Sequence, residues 1–275
     1  MSEAKVIAIC NQKGGVGKTT TTVNLGIGLA KMDKKVLCVD ADPQGDLTTS
    51  LGWKDTDNLP VTLSTLMQKT MHDKPIGERE GILTHGEGVD LVPSNLELSA
   101  MEMNLVNAMS RELTLKNYLD EVKKNYDYVL VDCMPSLGMI TVNALTASDS
   151  VIVPVQAHFL PAKGMSQLLQ TISRVRKHTN PNLKVDGILM TLVDRRTTLS
   201  RDVVDIIRQS YGSMIKIYQS QIPIAIKAAE ASTSGKSIFE YDPKGTVARA
   251  YESFTKEVIR DGQSEKSKLH TSQSR

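Results

Sequence analysis

Lys13, Gly14, Gly15, Val16, Gly17, Lys18 and Thr19 follow one another without a break, and their types suit one task. Glycines let backbone N–H groups turn inward on the oxygens of an anion. Lysine adds a positive charge on a mobile stem, and a threonine hydroxyl can serve a hard divalent cation. That is the chemistry of a phosphate-binding loop. The usual spacing, G-x-x-x-x-G-K-[ST], is not met from Gly14, because the run is too short. A variant, K-G-G-V-G-K-T, is met if Lys13 opens the loop. Lys18 would then neutralise the β- and γ-phosphates of ATP, and Thr19 would offer its hydroxyl to Mg²⁺. Glycine-rich turns also occur without phosphate, but such a turn needs neither lysine.

Three carboxylates stand where that chemistry needs them. The stretch "VLCVDADPQGD" ends an apolar run with Asp40 and Asp42, and "YVLVDCMPS" ends another with Asp132. In a parallel sheet, the carboxyl ends of the strands open onto one crevice. Asp132 is then expected to act on Mg²⁺ directly or through water. Asp42 could orient the attacking water, and Asp40 could support the metal shell. Taken singly, an Asp after a strand more often caps a helix or forms a turn. The adjoining loop tips the balance.

Short apolar runs alternate with helix-period segments. The runs at 5–10, 35–40, 88–93, 126–132, 150–155 and 184–193 are rich in Val, Ile and Leu. Their nearly continuous apolar character marks parallel strands covered on both faces. Helical patterns fall at 18–31, 95–105, 112–124, 138–147, 161–178 and 198–210, and a last one at about 244–260. The alternation predicts an α/β fold, a doubly wound, mainly parallel sheet flanked by helices. Residues 1–260 are expected to form a single domain. The polar tail 261–275 is expected to be disordered, and 53–80 to be a surface insertion with short helices.

Bulk properties narrow the setting. The chain has 275 residues and a net charge of +2, so any nucleic-acid surface must be a local patch. It has no signal-like N-terminus and no apolar run of the ~18 residues that a membrane span needs. Cys10, Cys38 and Cys133 are scattered, which fits buried thiols in a reducing cytoplasm.

"KGGVGKTT", "VDADPQGD", "VDCMPSLG" and "VPVQ", in that order, resemble the deviant Walker A ATPases, and most of all the ParA/Soj partition ATPases. The likeness runs from about residue 4 to 260. It implies a P-loop NTPase fold, ATP and Mg²⁺ as cofactors, and an ATP-dependent homodimer. In that family the first lysine of the loop reaches the phosphates of the partner subunit, a role that falls here on Lys13. Val16, Thr20 and Pro223 complete the expected nucleotide contacts. The resemblance further implies non-specific binding to double-stranded DNA, a ParB-like partner that stimulates hydrolysis, and a cytoplasmic, nucleoid-associated location.

The family's I-P-R-N-V-R stretch corresponds to "IPIAIK", so Ile224 and Lys227 replace its arginines. Lys227 is a candidate DNA contact, with Arg195, Arg196, Arg201, Lys236, Lys244 and Arg249. Met134 replaces a family proline, and His158 stands where Glu is common. No helix-turn-helix precedes the first strand, so sequence-specific operator binding is not expected. Rival readings are a MinD-like positioning ATPase, for which the tail lacks an amphipathic face, and a nucleotide-gated DNA switch with negligible turnover. An ATP-dependent ligase on the same loop is opposed by the D-x-D-P-Q-G element.

Overall fold

The computed structural model describes residues 4–157 and 162–273; His158 lies outside them. Val6 and Ala8 of β1 (Lys5–Ile9) are buried in one apolar cluster, and Ile7 and Ile9 in another. Every side chain of β2 (Val36–Ala41) is buried. Neither strand has a polar face, which is why both read as unbroken apolar runs. They belong to an eight-stranded sheet that also holds β3 (Leu83–Thr84), β4 (Val89–Val92), β5 (Tyr128–Cys133), β6 (Ser150–Gln156), β7 (Lys184–Val193) and β8 (Ile217–Pro223). The order across it is β3-β4-β2-β5-β1-β6-β7-β8. Only β3 runs antiparallel to its neighbour. The doubly wound α/β architecture is as the sequence predicts.

Helices cover both faces. One core takes apolar side chains from α3 (Leu63–Met71), α4 (Glu97–Val106), α5 (Thr114–Val122), α6 (Met139–Ala147), α7 (Ala162–His178) and α8 (Thr198–Tyr211). The other takes them from α1 (Lys18–Ala30), α2 (Asp46–Ser50), α9 (Ile226–Thr233), α10 (Ile238–Tyr241) and α11 (Thr246–Gln273). The three cysteines are free and buried.

The structure departs from the sequence expectations in three places. Within 53–80, Leu63, Leu66 and Met67 of α3 are fully buried, so this stretch is part of the core and not a surface insertion. Each such side chain contributes roughly 1.5–3 kcal/mol by leaving water. Second, β3 and β8 were not anticipated. β3 is too short to show a pattern. β8 lies at the sheet margin and has three polar residues at its centre, Gln-Ser-Gln, so it lacks the continuous apolar character of its neighbours. Third, α11 continues to Gln273 and takes in most of the tail expected to be disordered. Its first turns pack through Val247, Ala248, Tyr251, Phe254 and Val258. Extending a helix already nucleated by packing costs little, and no proline interrupts 261–273.

Glu257 of α11 turns into the β8 margin. Its Oε1 accepts from the Gln219 N–H at 3.0 Å, and its Oε2 from the Ser220 N–H at 3.2 Å. Lys216 Nζ lies 3.4 Å from the same carboxylate. Burial alone would raise the Glu257 pKa, but these amides and the Lys216 charge hold it below the usual value.

Candidate functional site

The carboxyl ends of β1, β2, β5, β6 and β7 bring the candidate residues to one edge of the sheet. After β1 the chain turns through Gly15 at φ +68° and Gly17 at φ +83°. Both are in the left-handed region, where an L side chain costs about 1–2 kcal/mol. Gly17 is the residue before α1, and neither a side-chain cap nor a first-turn acid satisfies that helix start. The exposed N–H groups and the positive helix end are therefore available to an anion.

Three polar contacts fix the loop from outside. Asn11 Nδ2 donates to the Pro154 carbonyl at 2.7 Å, while its Oδ1 accepts from the Lys13 N–H at 3.0 Å. Thr191 Oγ1, near the end of β7, donates to the Val16 carbonyl at 2.8 Å. Asn11 and Thr191 were both missed in the sequence. Asn11 sits in the loop entrance, where only the glycines and lysines drew notice. Thr191 is hidden inside the apolar run of β7.

Lys18 is buried, and its Nζ lies 3.4 Å from the Lys13 carbonyl. Among the described residues it forms no ion pair. An ammonium removed from water needs a compensating anion. A glycine loop with free N–H groups around such a charge fits a polyphosphate. Lys13 differs: its Nζ is exposed and reaches Gln156 Oε1 at 3.2 Å.

Asp132 and Asp40 are register partners across β5 and β2. Thr19 Oγ1 donates to Asp132 Oδ2 at 2.7 Å, and Thr22 Oγ1 lies 3.2 Å from Asp132 Oδ1. Burial and the neighbouring Asp40 charge push the Asp132 pKa up to about 8. Thr22 follows Thr19 by three residues on the same helix face, a spacing the sequence displayed but the motif does not use.

Asp40 is bonded on both oxygens. Its Oδ2 accepts from the Thr48 N–H at 2.8 Å and the Thr48 hydroxyl at 2.6 Å, and its Oδ1 from the Asp42 N–H at 3.2 Å. Burial raises its pKa to about 7 despite these bonds. With both oxygens engaged by α2 and the Asp42 loop, Asp40 shapes the turn that presents Asp42. Asp42 in turn accepts from the Gln44 N–H at 3.0 Å, and burial raises its pKa. Among the described residues no cluster of three or more His, Cys, Asp or Glu could hold a metal by itself. Any cation here would depend on Thr19, Asp132 and ligand oxygens. Thr20 lies in the first turn of α1. Pro223 ends β8 as the register partner of Val193.

The basic candidates divide into two groups. Lys227 pairs with Asp242 at 3.1 Å, Lys236 with Glu240 at 2.7 Å and Arg196 with Asp194 at 2.9 Å. Arg195, Arg201, Lys244 and Arg249 are exposed and make no ion pair among the described residues.

Known proteins resemble this chain in sequence and fold. The AAA-domain family model matches residues 4–185. The sporulation initiation inhibitor protein Soj of Bacillus subtilis is 43% identical over 94% of this chain and 99% of its own. The chromosome partitioning protein ParA of Caulobacter vibrioides is 41% identical over 93% of this chain and 94% of its own. The chain belongs to the ParA/Soj family. A solved Mycobacterium smegmatis structure, described as cobyrinic acid a,c-diamide synthase with bound ATP analog and magnesium, is similar at 37% identity. It covers 95% of this chain and 97% of its own, at a TM-score of 0.81. The ParA/Soj fold is thus that of a P-loop ATPase. No described helix is long and apolar enough to cross a membrane.

Proposed function

We propose that this protein is an ATP-hydrolysing DNA partition protein whose DNA binding is controlled by its nucleotide state. The reading rests above all on Lys18, a buried ammonium that touches no carboxylate among the described residues, set in a loop of left-handed glycines. ATP with Mg²⁺ is the cofactor that fits this site, and it supplies the phosphoryl group to be transferred. The N–H groups of residues 14–19 and Lys18 would hold the polyphosphate. Thr19 would serve Mg²⁺ directly, with Asp132 orienting the Thr19 hydroxyl or a metal-bound water. Asp42 would position the attacking water and accept its proton. Lys13, exposed at the mouth of the loop, would reach the phosphates held by a second copy, as a cation supplied in trans.

In the cycle that follows, ATP builds the homodimer, and the dimer holds double-stranded DNA through its backbone charge. A ParB-like partner then speeds hydrolysis and releases it. The protein would accordingly be found on the nucleoid. Arg195, Arg201, Lys244 and Arg249 are the candidates with charge to spare, whereas Lys227, Lys236 and Arg196 would first have to leave an acidic partner.

The test is binding to random-sequence duplex DNA across a salt series, with ATP, with ADP and without nucleotide. A steep salt slope seen with ATP alone supports the proposal. Equal binding in all three states, or none, overturns it. ATP turnover that depends on a carboxylic acid substrate and ignores DNA would point to amide synthesis on the same fold.

A further inference from the structure

Asn24 lies on the buried side of α1, six residues after Lys18. Its Nδ2 donates to the Thr20 carbonyl at 2.8 Å, and its Oδ1 accepts from the Ile238 N–H, also at 2.8 Å. Ile238 is the first residue of α10. The amide is thereby held at both ends, one in the first turn after the phosphate loop and one at the start of a separate helix.

The rest of the α10 start is satisfied from elsewhere. Ser237 Oγ accepts from the Phe239 and Glu240 N–H groups at 3.1 and 3.3 Å. The Ser237 N–H donates to Glu87 Oε1, from the β3–β4 turn, at 2.8 Å, and Ser237 Oγ donates to Glu87 Oε2. At the end of α9, Gly235 approaches Gly52 so closely that a Cβ on Gly235 would lie 2.7 Å from the Gly52 Cα. The segment from Lys227 to Lys244 is therefore clamped to a fixed frame by Glu87 and Gly52. Among the described residues, Asn24 makes its hydrogen bond to the phosphate-loop helix, while Lys31 at the far end of α1 lies over the Phe239 ring.

We infer that Asn24 is a positioning residue that transmits the state of the phosphate loop to segment 227–244, which carries Lys227, Lys236 and Lys244. The inference rests on the nucleotide-gated function proposed above. A ligand that settles the Lys18–Thr20 turn settles the Thr20 carbonyl, hence the Asn24 amide, hence the first N–H of α10. The Glu87 clamp does not touch α1 and carries no such signal.

Hydrogen exchange read by mass spectrometry tests the link without DNA. In the wild type, Mg-ATP should slow exchange of the 235–241 amides by about tenfold, within the range of site-to-site couplings. Asn24→Ala should bind ATP within about threefold of wild type and lose that slowing. Asn24→Asp keeps the acceptor for Ile238 but cannot donate to the Thr20 carbonyl, so it should lose the slowing as well. Ser237→Ala loosens α10 from the other side and should retain the response. No slowing in the wild type overturns the inference even if Asn24→Ala does not fold. Full slowing in Asn24→Ala, or equal loss in Ser237→Ala, also overturns it. DNA binding is read separately: if exchange responds as stated but ATP does not change DNA affinity, the proposed function falls and the link stands.

Discussion

Asp40 and Asp132 occupy paired positions on adjacent strands, β2 and β5, yet each points its bonds at a different part of the site. Asp40 binds Thr48 and the Asp42 backbone. Asp132 binds Thr19, in the first turn of α1. The sheet thus places both carboxyls from one register, Asp132 beside the start of α1 and Asp40 beside the Asp42 loop.

Their burial has a consequence for pH. Burial holds both carboxyls well above the usual carboxylate pKa, Asp40 at about 7 and Asp132 at about 8. The folded state therefore binds protons more tightly than the unfolded chain, and stability from these groups is complete at low pH and lost as pH rises through those values. Asp132→Asn should raise the Tm of the nucleotide-free protein at pH 8 by about 2–4 °C, the effect of about 1 kcal/mol in a chain of this size. The gain should shrink at pH 5. Calorimetry at the two pH values checks this.

Lys18→Ala should weaken ATP binding at least about 100-fold, or roughly 3 kcal/mol. Because the buried ammonium forms no direct ion pair and the Asp42 and Asp132 charges act on it only from farther off, the same variant should change the nucleotide-free Tm little. Titration calorimetry and thermal melts read the two effects independently. Tight binding in Lys18→Ala would remove the loop from its assigned role.

Lys13→Ala should leave ATP binding to the monomer nearly intact and reduce turnover by about 10³-fold or more, as loss of a cation supplied in trans does. Light scattering with ATP should show the loss of the dimer. A variant that dimerises and turns over normally would confine Lys13 to its contact with Gln156.

Asp42→Ala should bind ATP and hydrolyse it about 10²–10⁴ times more slowly, the usual contribution of a positioned acid–base group. The ATP-bound form should accumulate on DNA. Phosphate release and sedimentation with DNA measure the two.

Glu257→Gln replaces an acceptor of two backbone donors with a group that presents one acceptor and a competing amide. It should cost about 2 kcal/mol, a fall in Tm of roughly 4–8 °C. Since the wild-type carboxyl is held below its usual pKa, its contribution is present above the unfolded value of about 4.3 and is lost as pH falls. The gap between variant and wild type should therefore narrow in acid.

The parts of the molecule legible in the sequence are those where one cause dominates. Buried parallel strands show as apolar runs because both faces are covered. The loop from Lys13 to Thr19 shows because anion binding constrains every residue type in it. Asp42 and Asp132 were visible as strand-end carboxylates. What stayed hidden depends on contacts distant in the chain. Thr191 matters because β7 ends beside Val16, 175 residues away. Asp40 was visible as a strand-end carboxylate, but its bonds to the Thr48 N–H and hydroxyl were not. Leu63, Leu66 and Met67 form too short a pattern to announce a core helix, and it is the packing of α3 against α4, α5 and β2 that makes it one.

Two details at the sheet margins bear on how such a protein can cycle. At one end β3 offers just two residues, and at the other the Glu257 carboxylate occupies the donors of Gln219 and Ser220. Neither border leaves a long ribbon of vacant donors and acceptors on which another strand could grow. Copies of the chain must then meet through side-chain surfaces, which come apart readily, and crowding on a DNA lattice need not end in permanent cross-β clumping.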